Sequence, residues 1–193
     1  MIKIKRLIIL LTMISFSATA QSIIELPLVL VDSKIQWTGT KVVGFHQGTV
    51  KLKKGIVVLR NHQLAGGSFE IDMTSIANTD IPDSDLVPKR KIEDHLKSSD
   101  FFDVVSFPTA HLEIIRVSAL RENTYSVTAN LTLKGITKPI TIVAEPSTQR
   151  DDLFIAQANF TIDRQQWGVA YNGLKDELVH DDIKFNVIIK ARK

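Results

Sequence analysis

The sequence predicts an all-β domain of about eight antiparallel strands with one short helix at one end. Three observations carry that prediction. Long stretches alternate apolar and polar residues, as half-buried strands do. The clearest runs over residues 125–134, where Tyr125, Val127, Ala129, Leu131 and Leu133 alternate with Ser126, Thr128, Asn130, Thr132 and Lys134. Turn-forming segments such as Asn61-His62-Gln63 and residues 135–138 separate these stretches. One segment, residues 85–97, drops the alternation and suits a short helix. Roughly eight antiparallel strands can close into a barrel that its own side chains fill or that encloses one small ligand. Polar outer faces suit such a barrel in water, and a two-sheet sandwich fits the same pattern.

The chain opens with a segment expected to lie outside the fold. Lys3, Lys5 and Arg6 precede an apolar run over residues 7–16, and Ala18-Thr19-Ala20 offers a small-x-small cleavage site. Residues 1–20 therefore read as a signal peptide and residues 21–193 as one domain, exported to the periplasm or beyond the cell. The leader also explains the basic balance. Residues 1–20 hold three basic and no acidic side chains, leaving 21 of the 24 basic residues against 21 acidic ones. A net charge near zero gives no whole-domain electrostatic attraction to nucleic acid or to an anionic membrane. The chain has no cysteine, hence no disulfide and no thiolate chemistry.

Each element follows from local pattern. Residues 34–43 read as a strand with Ile35 and Trp37 on one face, and Gly39 and Gly44 mark bulges or close backbone approach. Residues 48–53 and 55–60 read as a hairpin around Lys53-Lys54-Gly55. Residues 64–73 place Phe69, Ile71 and Met73 together, with a bulge at Gly66-Gly67-Ser68. A polar loop over residues 78–88 leads into the helix, for which Asp85 can serve as cap and Pro88 fits the first turn. Strand character resumes at residues 110–117, and the return strand after the 135–138 turn covers 139–145. Residues 153–163 align Phe154, Ala156, Ala158, Phe160 and Ile162; residues 182–191 align Ile183, Phe185, Val187, Ile189 and Ala191. Residues 167–181 form a long connection without periodicity. Ala129, Ala144, Ala156 and Ala158 all fall on apolar faces, where small side chains leave space unless larger neighbours fill it.

Residues 91–108 stand apart. Here Ser98-Ser99-Asp100-Phe101-Phe102-Asp103 sets two adjacent aromatics between acids. On a strand or helix, neighbouring residues point different ways, so one ring would enter a core while the other covers an end. The segment then either plugs the end of a barrel or gates an apolar cavity.

Catalytic motifs are sparse. His46, His62, His95, His111 and His180 form no local pair at metal-ligand spacing, so no metal is expected. His95 and His180 are the best functional candidates, because both sit in aperiodic segments beside acids. Asp80, Asp83 and Asp85 lack the glycine and distal glutamate of a calcium loop and read as a solvated loop. There is no nucleophile elbow, phosphate loop or dinucleotide fingerprint. Arg164 either holds an anionic headgroup in a cavity mouth or pairs with Asp163 or another neighbour.

Several segments, in order, resemble the YceI-like family of exported bacterial lipocalin-like proteins associated with polyisoprenoid binding. They are Ser33-Lys34-Ile35-Gln36-Trp37, His95-Leu96-Lys97-Ser98 with Asp100-Phe101-Phe102-Asp103, Phe107-Pro108-Thr109, residues 131–139, Ile162-Asp163-Arg164 with Trp167-Gly168, and the closing strand after Asp181-Asp182. The resemblance implies an eight-stranded antiparallel lipocalin-like barrel whose apolar interior holds an isoprenoid tail. It favours the gate over the plug. The expected role is that of a non-enzymatic carrier or store in the periplasm for a polyisoprenoid or isoprenoid-quinone-like lipid, with no other cofactor. Trp37, Phe69, Phe102, Leu131, Phe160, Trp167 and Phe185 are expected to line the cavity, with Arg164 and His95 near its polar end. Many members carry Arg three residues before the motif's His; here that position is Ile92, and Arg90 or Lys91 stands close enough to substitute. Two rivals remain. One is an enzyme acting on a lipid or quinone precursor, with His95 or His180 as general base. The other is an interaction module with a filled core, serving a membrane redox or stress-response partner. An apolar rim around a barrel mouth would also allow a homodimer.

Overall fold

The computed structural model describes residues 22–171 and 179–193. The leader expected at residues 1–20, and part of the connection expected at 167–181, lie outside the described residues. The strands are β1 (Ile23–Pro27), β2 (Lys34–Lys41), β3 (Phe45–Arg60), β4 (Gln63–Asn78), β5 (Thr109–Arg121), β6 (Thr124–Leu133), β7 (Ile136–Arg150), β8 (Leu153–Asp163) and β9 (Val179–Arg192). Among the described residues the single α-helix is α1 (Leu86–Lys97), which lies between β4 and β5.

Every pairing is antiparallel, and the wall closes because β2 pairs with both β3 and β9 while β3 also pairs with β4. The barrel is therefore the arrangement adopted, and the sandwich is not. Closure leaves the main wall no open edge. It has eight positions, because β1 and β2 behave as one interrupted strand. Both lie along the same side of β3: Ile23–Pro27 against Arg60–Ile56, and Ile35 onward against Val50 onward. A 3-10 turn at Leu30–Asp32 takes up the slack between them. Ser33 stitches the break to β9, since its hydroxyl donates to the Val29 carbonyl at 3.0 Å and accepts from the Lys190 N–H at 3.0 Å.

Two features depart from the sequence reading. No hairpin forms at Lys53-Lys54-Gly55, because β3 runs unbroken through it, with register shifts against β4 between Thr49 and Lys51 and between Leu52 and Lys54. Gly55 serves close packing there: a Cβ at this position would lie 2.7 Å from the Ser68 carbonyl oxygen and 2.9 Å from the Leu28 side chain. The real reversal is at Asn61-His62, both at positive φ (49° and 66°), the geometry a two-residue hairpin needs. Likewise the later turn is tighter than expected, at Lys134-Gly135, and β7 begins at Ile136.

The two barrel ends differ. At the lower end, tight turns at 61–62, 122–123 and 151–152 join the strands. Leu26, Leu59, Tyr125, Phe154 and Ala191 fill the space inside. At the upper end, α1, the segment 98–108 and a 3-10 turn at Arg164–Trp167 fold over the opening. Trp37, Phe101, Phe102, Val104, Trp167 and Val169 make the core there. Both members of the Phe101-Phe102 pair are buried, 5 % and 9 % exposed, so the expectation that only one would enter the core is corrected. The segment is a series of turns, with Asp103 at φ 47°, and strand or helix alternation does not apply to it.

Candidate functional site

Between the two cores lies a cavity of about 590 Å³. That is within the range of small-molecule sites. It arises from the alternation itself. On β8, Ala156, Ala158, Phe160 and Ile162 point inward, and two of these are alanines. Ala144 on β7 is the cross-strand partner of Ala158, so small side chains face the interior on adjacent strands. Ala129, the fourth alanine singled out from sequence, is fully buried and does not line the cavity.

The wall formed by β2, β9 and β8 carries an aromatic belt. Trp37 on β2 is paired with Phe185 on β9, which is paired with Phe160 on β8. The Phe160 and Phe185 rings stack with centroids 5.2 Å apart and planes 21° from parallel. Gly48 on β3 makes room for Trp37: a Cβ there would sit 1.9 Å from the Ala77 carbonyl oxygen and 2.4 Å from the indole. Phe69, Phe102 and Leu131 complete the lining expected from sequence.

Trp167 differs from that expectation and is corrected. It is 1 % exposed, does not border the cavity, and donates its indole N–H to the Leu131 carbonyl at 3.0 Å. Its place is under the end cap, where the 3-10 turn packs on the barrel. Lys134 holds the cap from the other side. Its ammonium donates to the carbonyls of Ser99 (3.1 Å) and Phe101 (2.9 Å), which ties the double-aromatic segment to the β6–β7 turn. Pattern reading placed Lys134 on the polar face of a strand and missed this role.

Polar groups gather at the upper end. Lys41, His46, Lys91, His95, Arg164 and His180 all border the cavity, and no carboxylate does among the described residues. Of the two cations near Ile92, Lys91 borders the cavity and Arg90 does not. His95 Nε2 is buried without a hydrogen-bond partner. Its ring meets Tyr171 edge-on at 4.4 Å and Phe101 at 5.7 Å. Tyr171 and Phe101 thus frame the candidate polar end, a grouping that no periodicity in the sequence reveals. His180 Nδ1 lies 2.8 Å from the Thr40 hydroxyl.

Arg164 is wholly buried. Its guanidinium donates to the carbonyls of Val169 (2.5 Å), Tyr171 (2.6 Å), Val179 (3.4 Å) and His180 (3.4 Å). It pairs with the Asp181 carboxylate at 3.0 Å, not with Asp163, which caps the 3-10 turn through the Gln165 N–H. The charge also lies 5.5 Å from the Phe101 ring centre. The planar fork thereby ties the backbone after the 3-10 turn to the start of β9.

Asp80 anchors the loop before α1 to the start of β3. It accepts from the Gln47 N–H at 2.8 Å and the Asn78 amide at 2.6 Å, and lies 2.9 Å from His46 Nδ1. Partial burial pushes its carboxyl up, but these hydrogen bonds outweigh it and hold the carboxyl below its ordinary value. Asp83 is likewise held down by its hydrogen bond from Lys89 at 2.6 Å. Asp80 and Asp83 thus bind protein groups, and no cluster of metal-ligating side chains occurs among the described residues.

Comparison with known proteins agrees with this architecture. Residues 28–191 match the YceI-like domain. A UPF0312 protein of Azotobacter vinelandii is 42 % identical over 50 residues, and the alignment spans 26 % of that relative's length. Among solved structures, BcnA of Burkholderia cenocepacia superposes with a TM-score of 0.71 at 21 % identity, covering 85 % of this chain and 99 % of that one. A polyisoprenoid binding domain from Saccharophagus degradans superposes with a TM-score of 0.65 at 11 % identity, covering 89 % and 99 %.

Proposed function

The chain belongs to the YceI-like domain family, and from that premise we propose that it is a periplasmic lipid-binding protein. It holds a polyisoprenoid or isoprenoid-quinone-like lipid in the barrel and acts as a carrier or store, not as an enzyme. The observation that carries this reading is the cavity of about 590 Å³, lined mostly by apolar side chains along the barrel, with its cationic and histidine groups toward the capped end. Such a space suits a long apolar tail with one polar end. Burying the tail contributes roughly 25 cal/mol per Å² of apolar surface, offset in part by ordering a flexible chain. Few polar contacts are then needed. The aromatic belt of Trp37, Phe185 and Phe160 would flank the tail, and the unpartnered His95 Nε2 would meet the polar end. The structural likeness to the Saccharophagus degradans domain, described as polyisoprenoid-binding, supports the ligand class.

Native mass spectrometry with organic extraction, on protein purified from its own periplasm, tests the proposal. A stoichiometric prenyl-lipid adduct is the expected result, and folded Phe160→Asp and Leu131→Arg variants should lose it. A clean unliganded mass, together with no uptake of added prenyl lipids, would sink the reading.

A further inference from the structure

The upper end of the barrel carries a second feature, on its outside. The β2–β3 turn and the first residue of β3 expose Val42, Val43 and Phe45 by 61 %, 77 % and 54 %. The start of α1 exposes Leu86 and Val87 by 49 % and 83 %. Both elements reach the upper end of the cavity, because Lys41 and His46, on either side of the turn, and Pro88 and Lys91 from the helix border it. Asp80 ties the two sides together through its bonds to His46 and Gln47. Isolated exposed valines are common on protein surfaces, but five large apolar side chains on two tethered elements around one mouth are a patch.

The charges beside the patch favour one kind of partner. Lys41, Arg90 and Lys91 have no carboxylate partner among the described residues. The nearby acids are mostly engaged: Asp80 with His46, Asp83 with Lys89, Glu93 with the Asn78 N–H, and Asp181 with Arg164. Asp85 and Asp94 on the helix side and Asp182 at the start of β9 carry no ion pair among the described residues. Apolar tips with unpaired cations among them match an anionic bilayer surface, where the tips enter the acyl boundary and the cations meet headgroups. A protein partner seated on this ring would instead seal the mouth.

We propose that this ring of Val42, Val43, Phe45, Leu86 and Val87, with Lys41 and Lys91, is a membrane-docking surface that sets the cavity mouth against an anionic lipid bilayer. A tail could then pass from bilayer to barrel without crossing water. The idea rests on the lipid-binding reading above, and the test separates the two. Protein expressed from the full sequence is floated with vesicles of phosphatidylethanolamine and phosphatidylglycerol. In parallel, uptake of a prenyl alcohol is measured from detergent micelles. Wild type should bind the vesicles, more weakly as salt rises. Val43→Asp with Val87→Asp should weaken vesicle binding by about tenfold or more while leaving micelle uptake unchanged. Lys41→Glu with Lys91→Glu, which leaves the apolar tips intact, should remove the salt dependence. Docking is overturned if wild type ignores the vesicles while loading from micelles. It is also overturned if the valine variant binds vesicles as wild type does, or if that variant splits a dimer seen by sedimentation and changes nothing else. Failure of micelle uptake alone would count against the cavity's ligand and leave the flotation result to decide docking.

Discussion

Single side chains at the capped end do more structural work than their exposure suggests, and Arg164 shows it best. A buried guanidinium is costly unless every donor finds a partner. Here four carbonyls and the Asp181 carboxylate supply them. Arg164→Ala would strand the carbonyls of Val169 and Tyr171, at about 1–3 kcal/mol for each buried group left unpaired. The expected result is a fall in the urea midpoint of the whole barrel. Arg164→Lys should recover only part of it, because an ammonium cannot reproduce the planar fork. A variant that unfolds like wild type but loses lipid would instead make Arg164 a headgroup ligand. Its neighbour in sequence, Trp167, teaches a related lesson. The residue type predicted a lining ring, but its N–H found the Leu131 carbonyl and took the side chain into the end core.

At the level of elements, α1 is held by its loop as much as by its faces. The helix contributes no fully buried residue, and its cap, Asp85, makes no side-chain hydrogen bond. Asp80 supplies the fixed point, and this makes the attachment sensitive to acid. A carboxyl held below its ordinary value favours the folded state while it is ionised. The contribution is fully present above the ordinary carboxylate range and is lost as pH falls through the lowered folded value. Protection of the α1 amides, relative to their intrinsic exchange rates at each pH, should therefore fall on acidification below that range, and Asp80→Asn should show low protection already at neutral pH. Equal exchange in wild type and variant across the titration would show that the loop is held elsewhere. The elements themselves were largely legible beforehand, because period-two alternation survives wherever one strand face is buried and the other is wet. β8 was read to its exact ends. Errors fell where a residue type has two uses. Gly55 reads as a turn but serves close packing inside β3, and the short β1, broken from β2 by the 3-10 turn, offered too little alternation to be seen. The candidate polar end was the least legible part. His95, Phe101 and Tyr171 meet only through the cap, and no spacing along the chain encodes that meeting.

For the molecule as a whole, the question is whether the barrel is built to be filled by its own side chains or by something else. Protein interiors normally pack with few voids larger than a water molecule. An interior of about 590 Å³ bordered by alanines departs from that rule. A substitution that adds volume distinguishes the cases by the sign of its effect. Ala158 faces the cavity beside Ala144, on the strand that also carries Phe160. In a packed core, Ala158→Phe would cost about 1–3 kcal/mol through strain. In an unfilled cavity the new ring has space and gains apolar contact instead, so Tm should hold or rise. Prenyl-lipid uptake should fall at the same time, and the longest chains should suffer most because they need the full length of the barrel. Thermal melts of lipid-free protein, paired with uptake of prenyl alcohols of increasing length, read both effects. A drop in Tm with uptake unchanged would mean that the alanine face is close-packed and that lipid sits elsewhere. A held Tm with length-selective loss would mean that the small side chains along β7 and β8 are the space in which the tail lies.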